Sequence, residues 1–324
     1  MPSTGPDQPT QLDQFIHVAA GVVENASGEI LIAKRPPHLH QGGLWEFPGG
    51  KLEAEEDSLT ALRRELAEEV NIRVKSATPL IQIPWHYGDK SVLLDVLYVD
   101  EYSGEAHGRE GQDIKWVRRD ALSQYDFPAA NRAILTALSL PDRYMISGDF
   151  ASQDDFMQRL QHGLDAGIRL VQLRAKHLAE DELCNYISKA GALCEQYGAR
   201  LLVNTSVALA TQLNIDIHLS SFELMNCKAR PLPKGRLVGA SVHNEIELQQ
   251  AQRLGVDFVV LSPVLPTNSH PGASSLGWET FRQLVSQASI PVYALGGVSP
   301  TELGLARQMG AQGIAAISAL WTTP

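Results

Sequence analysis

Apolar and polar positions alternate along the whole 324-residue chain, but their rhythm changes near residue 140. Over residues 15–138 the apolar runs are unevenly spaced. FIHVAAGVVEN and EILIAKR predict two strands joined across ASG by a hairpin, SVLLDVLYVDEY predicts a further strand, and PAANRAILTALSL a closing helix. Leu59, Leu62, Leu66 and Val70 recur at helical spacing, which predicts a helix from Asp57 as N-cap to Val70 with these four on its core face. From residue 143 the alternation becomes regular. The runs RYMIS, LVQLR, RLLVN, DIHLS, LVGASV, FVVLSPV, PVYALGGV and GIAAISAL predict eight short strands. Helices are predicted at QDDFMQRLQHGLDAG, DELCNYISKAGALCEQYG, SVALATQLN, NEIELQQAQRLG, WETFRQLVSQ and PTELGLARQMG. That order is the pattern of a parallel (β/α)8 TIM barrel. The chain ends soon after the eighth strand with WTTP, so the eighth helix is expected to be missing or supplied elsewhere.

The two rhythms imply two domains, one mixing strands and helices in α+β fashion and one α/β. The expected division is a polar tail at 1–14, a first domain at 15–138, a linker at 139–143 and the barrel at 143–324. Pro141 ends the helix before the linker. At 44% hydrophobic residues there is material for two cores. No apolar run reaches the ~18 residues that cross a bilayer, and the polar start lacks the basic and apolar regions of a signal peptide. Cys184, Cys194 and Cys227 show no CxxC spacing, which fits a reduced, cytoplasmic chain without a disulfide framework. The net charge of −10 argues against stable binding to nucleic acid. It leaves room for a nucleotide, because a metal ion can bridge acid to phosphate.

The chemistry begins on the predicted helix at 57–70. Glu65, Glu68 and Glu69 stand at i, i+3 and i+4, on a face beside the leucine stripe. Like charges at that spacing repel, and a hard divalent cation such as Mg2+ or Mn2+ removes the repulsion. Arg63 and Arg64 neutralise part of the cluster. Spacing alone leaves a solvated acidic face open. The wider motif is more specific: Gly50, five residues, Glu56, seven residues, Arg64-Glu65-Leu66, one residue, Glu68-Glu69, one residue, Asn71-Ile72. This resembles the Nudix box, with asparagine at position 71 where the family usually has glycine. That position ends the helix, where a left-handed residue is common and asparagine is the next-best choice.

LWEFPGGK, GREGQDIKWV and YDFPAANRAIL extend the resemblance to MutT-type Nudix hydrolases, which cleanse oxidised guanine nucleotides, over residues 15–138. The resemblance implies an α/β/α sandwich with a mixed sheet. It implies that Gly50, Glu65, Glu68, Glu69 and Glu110 surround Mg2+ or Mn2+, with Arg64 in the catalytic motif. It implies that Phe47 and Asn131 contact the purine, and Lys34 or Arg35 is expected to meet a phosphate. The implied reaction releases pyrophosphate from a nucleoside triphosphate, 8-oxo-dGTP above all, leaving the monophosphate.

VQLRAKHL, LLVN, VGASVH, LSPVLPT, ALGGV and AAISAL resemble the thiamine monophosphate synthase and TenI family, itself a (β/α)8 fold. By this resemblance Gln172, Arg174 and Lys176 lie at the end of the second strand and bind diphosphate, Asn204 follows the third strand, and Gly297 and Ser318 form a phosphate site after strands seven and eight. Several positions depart from the synthases. Their Asn-Asp-Arg is Asn204-Thr205-Ser206 here, their second magnesium aspartate corresponds to Glu223, and their HLGQ is His218-Leu219-Ser220-Ser221. Their lysine after the strand-six PT is His270, and Ser262 stands where TenI-type tautomerases use a histidine. The expectation is a barrel that has lost synthase activity but keeps a thiamine-phosphate or other phosphate ligand. Two alternatives stay open: a first domain that hydrolyses thiamine diphosphate or its damaged forms, and a barrel that serves as a binding module or a buttress.

Overall fold

The computed structural model describes residues 15–38, 41–88, 90–267 and 274–324. The chain forms two compact units that divide between Ile134 and Leu135.

In the first unit β1 (Ile16–Val23) is an inner strand of a mixed four-stranded sheet. It pairs antiparallel with β4 (Gly49–Lys51) and parallel with β6 (Lys90–Ser103), and β5 (Arg73–Tyr87) completes the order β4-β1-β6-β5. β2 (Glu29–Lys34) forms a second, antiparallel sheet between β3 (Trp45–Glu46) and β7 (Ile114–Arg118). The helix α1 (Ser58–Val70) packs on β1, β4 and β5. Asp57 caps it by accepting from the Thr60 amide at 2.7 Å, and Asn71 ends it at φ 60°, ψ 29°. Both ends are as the sequence predicts. Leu62 and Leu66 are wholly buried, which contributes about 1.5–3 kcal/mol each.

The predicted β1–β2 hairpin needs correction. The turn exists: the Asn25 side chain accepts from the amides of Ser27 and Glu29, and Gly28 takes φ +76°. Only Glu24 and Ile30 bridge across it, after which the strands part into different sheets. Both strands end up buried over most of their length, so neither shows the alternation of a half-exposed hairpin. β5 has no counterpart among the predicted strands. It carries Pro79 and Pro84, which an edge strand tolerates because one row of its amides has no ladder partner, and its pairing slips near Pro79.

The helix α2 (Arg132–Ser139) leads into the second unit. There β8 (Arg143–Ile146), β9 (Leu170–Leu173), β10 (Arg200–Val203), β11 (Asp216–Leu219), β12 (Val238–Val242), β13 (Phe258–Leu261), β14 (Val292–Ala294) and β15 (Gly313–Ala316) close into an eight-stranded parallel barrel. The connecting helices are α3 (Gln153–Asp165), α4 (Glu180–Gln196), α5 (Val207–Leu213), α6 (Ser221–Asn226), α7 (Glu245–Leu254), α8 (Gly277–Val285) and α9 (Leu303–Gln308). α6 escapes the periodicity because six residues make less than two turns. Its sequence signal is the capping box Ser220-x-x-Glu223, in which side chain and amide bond reciprocally. Among the described residues no helix follows β15. Buried Trp321 instead packs against Phe156 of α3 at 5.1 Å and donates its indole N–H to the Asp149 carbonyl.

The three cysteines are unpaired, and among the described residues no helix is long and apolar enough to cross a membrane. His270 lies outside the described residues.

Candidate functional site

A cavity of about 270 Å³ opens in the first unit. Phe47, Asn131, Arg35, Glu46, Gly50 and Glu69 all reach it, so five of the residues singled out from sequence meet in one place and Glu46 joins them. Phe47 is buried and stacked on Phe127, with ring centroids 5.6 Å apart, which makes that wall flat and apolar. Asn131 follows Pro128 in a 3-10 turn and is only 7% exposed. Among the described residues no hydrogen bond engages its carboxamide. The amide is open to the cavity, so water or a ligand there can supply its partners.

Lys34 and Arg35 divide as neighbours at a strand end must, pointing to opposite sides. Arg35 lines the cavity and pairs with Glu46. Lys34 does not line it. Its ammonium sits 4.0 Å from Asp113 and 5.8 Å from the Trp45 ring centre, so of the two expected phosphate contacts only Arg35 is in position.

The acidic helix supplies the other wall. Glu69 accepts from the Gly49 amide at 3.3 Å, and its carboxyl is pushed up to about 8. Burial is the first cause, and the negative charges of Glu46, Glu65 and Glu110 add to it. Burial also raises the Glu46 carboxyl, with Arg35 opposing. Glu65 sits against Gly50 so closely that a β-carbon there would lie 2.2 Å from its carboxyl group, which explains why the motif needs glycine at position 50. Gly49, at φ +150°, lies against the Ala19 carbonyl in the same manner.

Arg64 organises the outer carboxylates. It donates to Glu56 through Nε at 3.0 Å and Nη2 at 2.9 Å, and to Glu65 through Nη1 at 2.7 Å, and it stands 3.6 Å from Glu68. Glu68 itself is exposed. Glu110 is also exposed and does not line the cavity, but its loop is tied to α1. The Arg109 amide and the Gln112 side chain both donate to the Glu69 carbonyl, at 2.9 and 3.0 Å. Gln112 and Arg109 were not among the residues singled out; nothing in their spacing marks them, since they act on backbone.

Among the described residues no three acidic, histidine or cysteine side chains gather tightly enough to enclose a metal ion. With Glu65 and Glu68 turned to Arg64, the expected ligands are held apart. The donor set nevertheless fits a hard divalent cation: all-oxygen carboxylates, a bare glycine backbone beside Glu65, and a half-buried Glu69 whose carboxyl is raised by burial first and by the neighbouring carboxylates Glu46, Glu65 and Glu110 after it.

The barrel's expected anion site is only partly assembled in the form predicted. Arg174 and Lys176 follow β9 and are exposed. Ser147, at the end of β8, accepts from the Arg174 amide at 2.8 Å and donates to its carbonyl at 3.2 Å, which anchors the backbone there. Gln172 needs correction: it lies within β9, 3% exposed, with its amide directed at the Tyr144 hydroxyl, because its position in the strand turns it into the barrel. Asn204, just past β10, donates to the His218 carbonyl at 2.9 Å. Gly297 and Ser318 are exposed after β14 and β15. Glu223 accepts from both the amide and hydroxyl of Ser220 at 2.9 Å, so its carboxylate is committed to capping α6.

Residues 143–320 match the family model described as thiamine monophosphate synthase, and residues 19–137 match that of the NUDIX domain. A putative thiamine-phosphate synthase 2 from Aquifex aeolicus is 34% identical over 182 residues, covering 56% of this chain and 98% of that protein. The thiamine-phosphate synthase of Clostridium perfringens is 31% identical over 180 residues, covering 55% and 86%. Among solved structures, a MutT from work on Aliivibrio salmonicida and Vibrio cholerae is 40% identical over 38% of this chain and 95% of its own, with a TM-score of 0.35. Through its barrel the chain belongs to the thiamine monophosphate synthase family, and it carries a NUDIX pyrophosphohydrolase domain ahead of that barrel.

Proposed function

We propose that the first domain hydrolyses a purine nucleoside triphosphate, 8-oxo-dGTP by preference, to the monophosphate and pyrophosphate. The observation that carries this reading is Asn131: its carboxamide has no protein partner among the described residues and lines a cavity that also holds Phe47 and Glu69. An amide offers a donor and an acceptor side by side, which suits a purine edge. Phe47 gives the base an apolar wall, and Arg35, released from Glu46, meets phosphate oxygens. Gly50, Glu65, Glu68, Glu69 and Glu110 would hold Mg2+ or Mn2+. When bound, such an ion neutralises the phosphate oxygens and lowers the pKa of water. A carboxylate of this set would take the proton from the attacking water.

The test compares kcat/KM for 8-oxo-dGTP and dGTP in the wild type and in Asn131→Ala. Loss of a bidentate base contact is worth about 1–3 kcal/mol, so the preference for 8-oxo-dGTP should drop at least several-fold. Equal losses on both substrates would make Asn131 structural and sink the reading.

For the barrel we propose retained binding of a phosphate-bearing ligand without useful synthase turnover. Arg174 and Lys176 supply exposed positive charge beside the strand ends. The position of the first magnesium aspartate is Thr205, and Glu223 is engaged as a helix cap. Charge stabilisation carries most of phosphate-ester chemistry, so these changes weaken turnover more than binding. Robust thiamine monophosphate synthesis by the full chain would overturn this.

A further inference from the structure

The helix α1 has no basic residue in its last turn, so the free carbonyls there need donors from elsewhere. The loop between β6 and β7 supplies them. Arg109 gives Nη1 to the Ala67 carbonyl at 2.8 Å and its amide to the Glu69 carbonyl at 2.9 Å. The His107 amide reaches the Val70 carbonyl at 3.2 Å. From the helix side, the Asn71 side chain donates to the Glu105 carbonyl at 3.1 Å.

Gln112 does more than cap. Its carboxamide uses both ends: Nε2 donates to the Glu69 carbonyl at 3.0 Å, and Oε1 accepts from the Glu110 amide at 2.9 Å. One side chain therefore ties together the backbones of two residues whose carboxylates belong to the acidic site. The residue type follows from the task. An amide carries a donor and an acceptor side by side, an ionised carboxylate cannot donate, and a lysine or arginine cannot accept. The loop is shaped to bring this about. Gly108 lies so close to the Gln112 carbonyl that a β-carbon there would come within 2.1 Å, so the turn that carries Glu110 closes only on glycine. Glu110 itself is exposed, with its charge felt at Glu69. An exposed carboxylate on an untied loop would have to be ordered when a cation binds, which costs affinity.

We propose that Gln112 is a positioning residue for divalent-cation binding: its carboxamide clips the Glu110 loop to the end of α1 and so fixes where the Glu110 carboxylate stands relative to Glu69. The metal role rests on the reading above, in which Glu69 and Glu110 help to hold Mg2+ or Mn2+; the clip itself does not.

Two measurements on the full chain test this. The first is hydrogen exchange of the Glu110 amide without metal. Gln112→Met, which keeps the length and loses both bonds, should speed it at least ten-fold while the amides of β1 stay protected. Unchanged exchange would overturn the clip. The second is Mn2+ binding without nucleotide, followed by electron paramagnetic resonance. Gln112→Met should weaken it about ten-fold, the range typical of residues that orient a ligand. The double variant Gln112→Met with Glu110→Gln should bind no more weakly than Glu110→Gln alone, because Gln112 acts through Glu110. Additive losses would overturn that. Arg109→Met removes a capping bond but leaves both Gln112 bonds in place, and should stay within two-fold of wild type. Equal weakening in Arg109→Met and Gln112→Met would make the effect general capping and overturn the role given to Gln112. Wild-type affinity in Glu110→Gln would overturn the metal reading of Glu110 and the positioning role together, while the exchange rate still decides whether the clip exists.

Discussion

Arg64 holds Glu56 by two parallel hydrogen bonds, Nε to Oε1 at 3.0 Å and Nη2 to Oε2 at 2.9 Å. The forked guanidinium also reaches Glu65, and lysine lacks that fork. Arg64→Lys should therefore loosen the helix carboxylates without unfolding the domain. Turnover of a nucleoside triphosphate is expected to fall at least ten-fold while the far-ultraviolet circular dichroism stays unchanged. Turnover within two-fold of wild type would show that the bidentate pair is dispensable.

Glu69→Gln separates stability from activity. The folded carboxyl, at about 8, lies above its unfolded value of about 4.5. Between those values the folded chain binds the extra proton, so stability falls as pH rises through the window. A neutral amide removes that loss. The variant should melt higher than wild type at pH 8 without added metal, by a few degrees, and match it near pH 4.5. Its turnover should be lower by orders of magnitude. A lower melting point at pH 8 would contradict the electrostatic account.

His218 works in the other direction. Its folded pKa, about 3, lies below the unfolded value of about 6.5. Between pH 3 and 6.5 the unfolded chain binds the extra proton, so the stability present above 6.5 is lost as pH falls, by up to roughly 1.4 kcal/mol per unit. Urea midpoints taken from pH 7 to pH 4.5 should decline more steeply in the wild type than in His218→Gln. Parallel declines would place the acid sensitivity elsewhere.

Glu223 distinguishes a cap from a ligand. Its carboxylate is spent on Ser220, and losing such a cap costs about 1 kcal/mol. Glu223→Ala should lower the barrel's melting point slightly and leave its affinity for thiamine monophosphate within two-fold, whereas Arg174→Ala should abolish binding. A large loss of affinity in Glu223→Ala would restore it to the ligand site.

The sequence by itself determined the two domains' fold classes, the eight barrel strands and both ends of α1, because each rests on local information. A strand of four apolar residues, an Asp57 cap and an asparagine able to turn left-handed are all readable within a few positions. The acidic motif was equally legible, since Gly50, Glu65 and Glu69 carry their chemistry in their spacing. Tertiary structure alone decided the rest. It sent β1 and β2 to separate sheets, used the proline-bearing β5 as an edge, and brought Glu46 against Glu69. It turned Gln172 inward and Lys34 away from the cavity, and it joined Tyr144 to His218 across 74 positions of sequence. Those outcomes depend on which face of a strand meets which neighbour, a choice made by long-range burial and charge that no local pattern records.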